Sequence, residues 1–159
     1  MNISNLPADS KRWMYRGGHP NRLARMLNKG FAIFNLLGIL PDYSVTLEVM
    51  GRQSGKKISF PLVMVVMNDE RYLVSMLGKK ANWVLNVKAA DGKAVLRYGT
   101  NEQVHLKDVA VEQRAPILKA YLQIAPGARP HIAINRDAPV SEFEKIASEY
   151  PVFKLETIK

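Results

Sequence analysis

The run Ile58-Ser59-Phe60-Pro61-Leu62-Val63-Met64-Val65-Val66-Met67 leads through Asn68-Asp69-Glu70-Arg71 into Tyr72-Leu73-Val74-Ser75-Met76. Two runs rich in β-branched and aromatic residues, joined by four polar residues, read as a β-hairpin. In the first arm Val63, Val65 and Met67 alternate with Met64 and Val66. Both faces are therefore apolar and both are expected to be covered, which suits the wall of a barrel with something packed outside it.

Further strands and short helices flank this hairpin. Upstream, Val45 to Met50 is another strand. Downstream, Asn82 is expected to cap a helix from Trp83 to Ala90 through its side-chain oxygen, with Asp91-Gly92 ending it. Lys93 to Tyr98 and Gln103 to Val109 form a second hairpin around Gly99-Thr100-Asn101-Glu102. Val111 to Ile124 reads as a helix whose buried stripe is Ile117, Leu118, Tyr121 and Leu122, stopped by Ala125-Pro126-Gly127. Ser141 with Glu144 forms a capping box for a helix reaching Tyr150, and Pro151 to Leu155 is a closing strand. About six to seven mostly antiparallel strands with short peripheral helices, and no regular βαβ alternation, give an α+β barrel and disfavour a doubly wound sheet.

The chain has 159 residues, of which 47% are apolar and 23% charged, so one domain over 1–159 with a proper core is expected. Its net charge of +9 is uneven: residues 1–60 carry nine basic and three acidic side chains. Residues 1–40 read as a basic helical arm. From Asn21 to Leu37, Leu23, Met26, Leu27, Phe31 and Phe34 recur at helical spacing, after Pro20 and before Gly38. Packing on the body is the first reading of this helix, and peripheral contact with a membrane surface the second. The apolar run Phe31 to Leu40 has ten residues, whereas a membrane span needs about 20. The N-terminus lacks signal-peptide blocks, so a cytoplasmic location is expected, with membrane association as its variant. The absence of cysteine excludes disulfides, thiolate metal sites and cysteine nucleophiles. His19, His105 and His131 lack metal-ligand spacing, so no metal is expected. No nucleophile elbow occurs, and the aromatics do not alternate along a basic strand, so neither hydrolase chemistry nor nucleic-acid binding is expected.

Two segments have the residue types for chemistry. Gly51-Arg52-Gln53-Ser54-Gly55-Lys56-Lys57 links two strands with two glycines, a hydroxyl and three cations, a composition that suits either an anion pocket or a solvated hairpin tip. Its glycine spacing is not that of a Walker loop. Ser75-Met76-Leu77-Gly78-Lys79-Lys80-Ala81-Asn82-Trp83-Val84-Leu85-Asn86 runs from a strand end into a helix start, where backbone N–H groups and lysines can receive an anion. Trp83 and Met76 could wall a flat ring or fill the core beneath the loop; Asn86 could face the same site or be a structural amide.

In these segments the sequence resembles the deazaflavin-dependent nitroreductase family, split β-barrel (FMN-binding-like) oxidoreductases that use reduced coenzyme F-420. The resemblance rests on Gly51 to Gly55 followed by Pro61-Leu62, on Ser75 to Gly78, on Asn82-Trp83-Val84-Leu85-Asn86-Val87-Lys88-Ala89 and on Tyr150-Pro151-Val152-Phe153-Lys154. It implies that Gln53, Ser54, Lys56, Lys57, Pro61 and Val63 hold the coenzyme's phosphate and oligoglutamate tail, and the cationic character of the loop adds Arg52 to them. It further implies that Ser75, Met76, Asn82, Trp83 and Asn86 border the deazaflavin ring, beside which Leu77 is expected to exclude water and Gly78 to offer backbone N–H groups. The chain departs from the family's pattern at Ile58, where many relatives have Arg, and at Ala125 to His131, where nitroimidazole-reducing members place tyrosines.

The resulting expectation is a deazaflavin-dependent oxidoreductase that passes hydride to a small electron-poor acceptor, a quinone or nitro compound. Its catalytic residues are unassigned; Tyr43, Tyr121 and His131 are the candidate proton donors. The alternatives are an FMN-loaded barrel and a non-catalytic basic module for anionic ligands, membrane surface or nucleic acid. A homodimer is expected by analogy with other split barrels.

Overall fold

The computed structural model describes residues 44–159. The expected N-terminal helix and Tyr43 lie outside the described residues. Six strands, β1 (Ser44–Met50), β2 (Lys57–Met67), β3 (Glu70–Val74), β4 (Lys93–Tyr98), β5 (Thr100–Asp108) and β6 (Val152–Thr157), close a barrel in the order β1-β2-β3-β6-β5-β4. Every neighbouring pair is antiparallel. The helices are α1 (Asn82–Ala89), α2 (Ala115–Ile124) and α3 (Val140–Ile146), the last continued by a 3-10 turn over Ala147–Glu149.

Two apolar clusters share the strands. Val45, Leu47, Val49, Met64, Leu73, Leu96, Val104, Leu106, Phe153 and Leu155 fill the barrel, and α1 adds Trp83, Val84 and Val87. On the outside, Val65, Val74 and Val152 pack with Ile117, Leu118, Tyr121, Leu122 and Phe143 of α2 and α3. The strand β2 is indeed lined on both faces, Leu62 and Met64 facing one cluster and Val63, Val65 and Met67 the other. Val66 escapes this arrangement, being 62% exposed where β2 runs out toward the Asn68-Asp69 turn. β2 pairs with β3 only over Met64 to Met67, so its first half has β1 as its ladder partner among the described residues. Pro61 falls in that singly paired half, where a missing N–H is best tolerated.

Several local expectations are corrected. Asn82 is the first residue of α1, not its cap: the capping position is Ala81 and no side chain caps it. Ser141 likewise lies inside the first turn of α3, which begins behind Pro139 without a side-chain cap. The helix expected from Val111 is split into a 3-10 turn, Val111–Gln113, and α2, because Pro116 has no N–H to donate to the fourth residue before it and belongs in a first turn. The second hairpin turns on Gly99 alone, at φ +67°, and Thr100 already pairs with Tyr98. β3 ends at Val74, so Ser75 and Met76 belong to the following turn, and β6 begins at Val152 and runs on to Thr157. The stop at Asp91-Gly92 is as expected: the Gly92 N–H donates to Val87 O (2.9 Å) and the Asp91 N–H to Lys88 O (3.2 Å), the paired closure of a Schellman motif.

Candidate functional site

The loop between β1 and β2 folds on itself. The Gly51 N–H donates to Lys56 O (2.8 Å), the Gly55 N–H to Gly51 O (2.9 Å), and the Lys56 N–H to Ser54 Oγ (3.2 Å). Gly51 leaves room for this turn: a Cβ would stand 2.6 Å from Ser54 Oγ and 2.7 Å from Ile58 Cδ1, so both side chains would have to shift. Ser54 is thereby spent on the loop's own geometry, although its side chain and those of Arg52, Gln53, Lys56 and Lys57 are exposed.

Arg52 ties this loop to α1. Asn86 Oδ1 accepts from both the Arg52 N–H (3.2 Å) and Arg52 Nη1 (2.8 Å), and Arg52 Nη2 reaches Asn82 Oδ1 at 3.5 Å. Asn86 is 2% exposed. Arg52, Asn82 and Asn86 are thus brought together, although they come from two segments that sequence reading assigned to different parts of the coenzyme. Lys57 leans the other way, with Nζ 3.6 Å from Glu48 Oε1, and the buried Glu48 also pairs with Arg97.

The second loop follows β3. The buried Ser75 donates its hydroxyl to Gly78 O (2.7 Å) and its N–H to Pro151 O (3.0 Å), while the Gly78 N–H returns to Ser75 O (3.2 Å). Gly78 sits at φ +81°, with Glu149 O 3.3 Å from where a Cβ would be. Met76 and Leu77 diverge, Met76 packing on the outer cluster and Leu77 on the barrel cluster. Lys79 and Lys80 are exposed immediately before α1. Trp83 is buried in the barrel cluster, its ring centroid 5.6 Å from that of Phe153 in an edge contact. Pro61 and Val63 lie along β2, Pro61 opposite Thr46 and Val63 against the outer cluster.

Of the candidate proton donors described, Tyr121 is buried in the outer cluster, and His131 accepts at its backbone oxygen from the Tyr150 hydroxyl (3.1 Å). Tyr150 entered the sequence reading only as the end of a helix and the start of the closing motif Tyr150 to Lys154, not as a site residue. Burial, with the Glu149 carboxylate beside it, pushes its phenol up. Its neighbours Glu149 and Pro151 both touch the Ser75 to Gly78 turn, a proximity across more than seventy positions that no local pattern carries. No helix among the described residues is long and apolar enough to cross a membrane.

The family model of the F-420H(2)-dependent quinone reductases matches residues 25–141. Among solved structures, the chain is similar to a protein described as a domain-swapped dimer, at 21% identity, covering 85% of this chain and 94% of that one with a TM-score of 0.52. It is also similar to an F-420-H2 dependent reductase, at 24% identity over 74% of this chain and 96% of that one, with a TM-score of 0.50. A protein of unknown function from Agrobacterium tumefaciens is similar over 99% of this chain and 57% of its own, at 9% identity and a TM-score of 0.52. These likenesses establish the split-barrel fold. No curated protein matches.

Proposed function

The chain belongs to the F-420H(2)-dependent quinone reductase family, and from that premise we propose that it oxidises reduced coenzyme F-420 with a quinone as the acceptor. The observation that carries this reading is the bond set of Arg52. Because Arg52 fastens the loop 51–57 to Asn86 and Asn82, the cations of that loop and those of Lys79 and Lys80 bracket the start of one helix.

The donor chemistry fits a multiply anionic cofactor. Arg52, Lys56, Lys79 and Lys80 have no carboxylate partner among the described residues, so each keeps its full charge for a ligand. Gly78, in the left-handed region, lets the turn close against Glu149 and brings Lys79 and Lys80 to the start of α1. Bound there, the deazaflavin supplies hydride chemistry. The chain's part is to hold and orient it: Arg52 and Lys56 bind the phosphate and carboxylates, and the Ser75 to Gly78 turn, pinned at both ends, fixes one edge of the ring site. Leu77, half-buried against the barrel cluster, presents apolar surface that excludes water from the transfer, while Met76 anchors the turn to the outer cluster. Gln53, Ser54, Pro61, Val63 and Trp83 complete the set proposed to border the coenzyme, Trp83 from within the barrel core.

The test is titration of the purified protein with oxidised and reduced F-420 and with FMN, followed by an acceptor screen. Tight binding of F-420, weak binding of FMN, and quinone-dependent loss of the reduced coenzyme's absorbance pattern are expected. Preference for FMN would overturn the cofactor, and turnover with nitro compounds but no quinone would overturn the acceptor. A homodimer is part of the proposal, supported by the neighbour described as a domain-swapped dimer and checked by light scattering.

A further inference from the structure

The arginines among the described residues are held in two ways. Arg71, Arg97, Arg114 and Arg136 each pair with a carboxylate, respectively Glu102, Glu48, Asp108 and Asp137. Arg129 and Arg52 are held, among the described residues, by neutral amide oxygens. Arg129 donates to Leu122 O (3.2 Å) and Gln123 O (3.3 Å) in the last turn of α2, where the helix dipole favours a cation. Arg52 is at the opposite kind of end. Its Nη2 lies against Asn82, the first residue of α1, with Lys79 and Lys80 just upstream and no acidic residue in the first turn.

The dipole and the two lysines all oppose a guanidinium at that place. What keeps it there is Asn86 Oδ1, which takes the Arg52 N–H and Nη1 together from a side chain almost wholly shielded from solvent. A carboxylate would hold Arg52 more firmly but would cancel its charge. An amide oxygen orients the group and leaves the charge intact.

We propose that Asn86 is a positioning residue that presents Arg52 as an uncancelled cation to the anionic part of the coenzyme, and that position 86 requires an amide rather than a carboxylate for this reason. The proposal rests on the reading of the site as a deazaflavin site.

The experiment compares Asn86→Asp with the unsubstituted protein in fluorescence titrations at low ionic strength. The probes are F-420 and the tail-less deazaflavin nucleoside, and thermal midpoints are measured alongside. Because aspartate strengthens the clamp while neutralising Arg52, N86D is expected to melt no lower than the parent, to bind F-420 about tenfold more weakly, and to lose clearly less affinity for the tail-less nucleoside. A merely structural role predicts that stability and F-420 affinity move together, both rising or both falling. The exposed Arg52→Gln is the second variant, expected to lose F-420 affinity by a similar factor and to show a shallower dependence on salt. F-420 binding by N86D and R52Q equal to the parent's, or equal losses for both probes, would overturn the proposal while leaving the deazaflavin reading intact. If the parent protein itself ignores F-420, that reading falls, and this one with it.

Discussion

Arg71 on β3 and Glu102 on β5 meet as a two-bond fork, Nη1 to Oε2 at 2.8 Å and Nη2 to Oε1 at 2.7 Å, across the intervening strand β6. Thr157 of β6 donates its hydroxyl to the same carboxylate, so three strands are pinned at one point. The Arg71 guanidinium, with help from Thr157, holds the Glu102 carboxyl at about 2 instead of its ordinary 4.5. A folded-state value below the unfolded one means that this stabilisation is fully present above about pH 4.5 and is lost as the pH falls toward 2. Solvent reaches the pair, which limits the contribution to about 1 kcal/mol. Thermal midpoints from pH 6 to pH 2 are therefore expected to fall more steeply for the parent than for Glu102→Gln, and parallel curves would refute the linkage.

Arg114 is predicted to be the costliest polar position in the outer layer. It is 7% exposed and donates from Nε to Val109 O (2.8 Å), from Nη1 to Ala147 O (3.1 Å) and from Nη2 to Asp108 Oδ1 (3.1 Å). These bonds tie the end of β5 to the turn before β6. Arg114→Met strands the two carbonyls without donors and is expected to cost about 3 kcal/mol in urea unfolding, while Arg114→Lys, which keeps the charge but not the fork, costs less. Equal stability of R114M and the parent would show that water replaces the guanidinium.

At the end of α1, neighbouring residues respond in opposite directions. Asp91 adopts φ 54° and Gly92 φ 77°, both left-handed. Asp91→Gly relieves a side chain from that region and is expected to stabilise by up to about 1 kcal/mol. Gly92→Ala would put a Cβ 2.7 Å from Leu106 O and from His105 Nε2, so it is expected to destabilise by about 2 kcal/mol or more. Calorimetry of the two variants checks the sign of each.

The strands were legible because their information is local. Val45 to Met50 and Ile58 to Met67 match β1 and β2 to within one residue at their starts, since β-branched and apolar side chains both favour the pleat and mark the buried faces. The stop of α1 was legible for the same reason, as Asp91-Gly92 carries its own backbone geometry. Asn82 was misread because a cap is inferred from neighbours, whereas its oxygen also receives Arg52 from thirty positions away. Of the site, the sequence marked the two cationic loops, by their composition and by the family resemblance they carry. It did not show that Arg52 and Asn86 spend their bonds on each other, that Ser75 is turned back onto Gly78, or that Trp83 packs on Phe153, because each of these contacts depends on barrel closure.

The adjacent lysines of the first loop are predicted to differ. Lys57 Nζ lies 3.6 Å from Glu48, a carboxylate that is itself almost buried and is shared with Arg97, so part of its field is already cancelled. Lys56 has no such partner among the described residues and projects from the self-bonded turn. An unopposed cation contributes more to holding a polyanion than one already leaning on a carboxylate. Lys56→Ala is accordingly expected to weaken F-420 binding by about tenfold and Lys57→Ala by about threefold, each with thermal midpoints near the parent's because both side chains are exposed. Titrations at several salt concentrations separate the cases, since K56A flattens the salt dependence more than K57A. Equal losses would mean that Glu48 does not screen Lys57, and a larger loss for K57A would place the anion along β2 instead of over the loop.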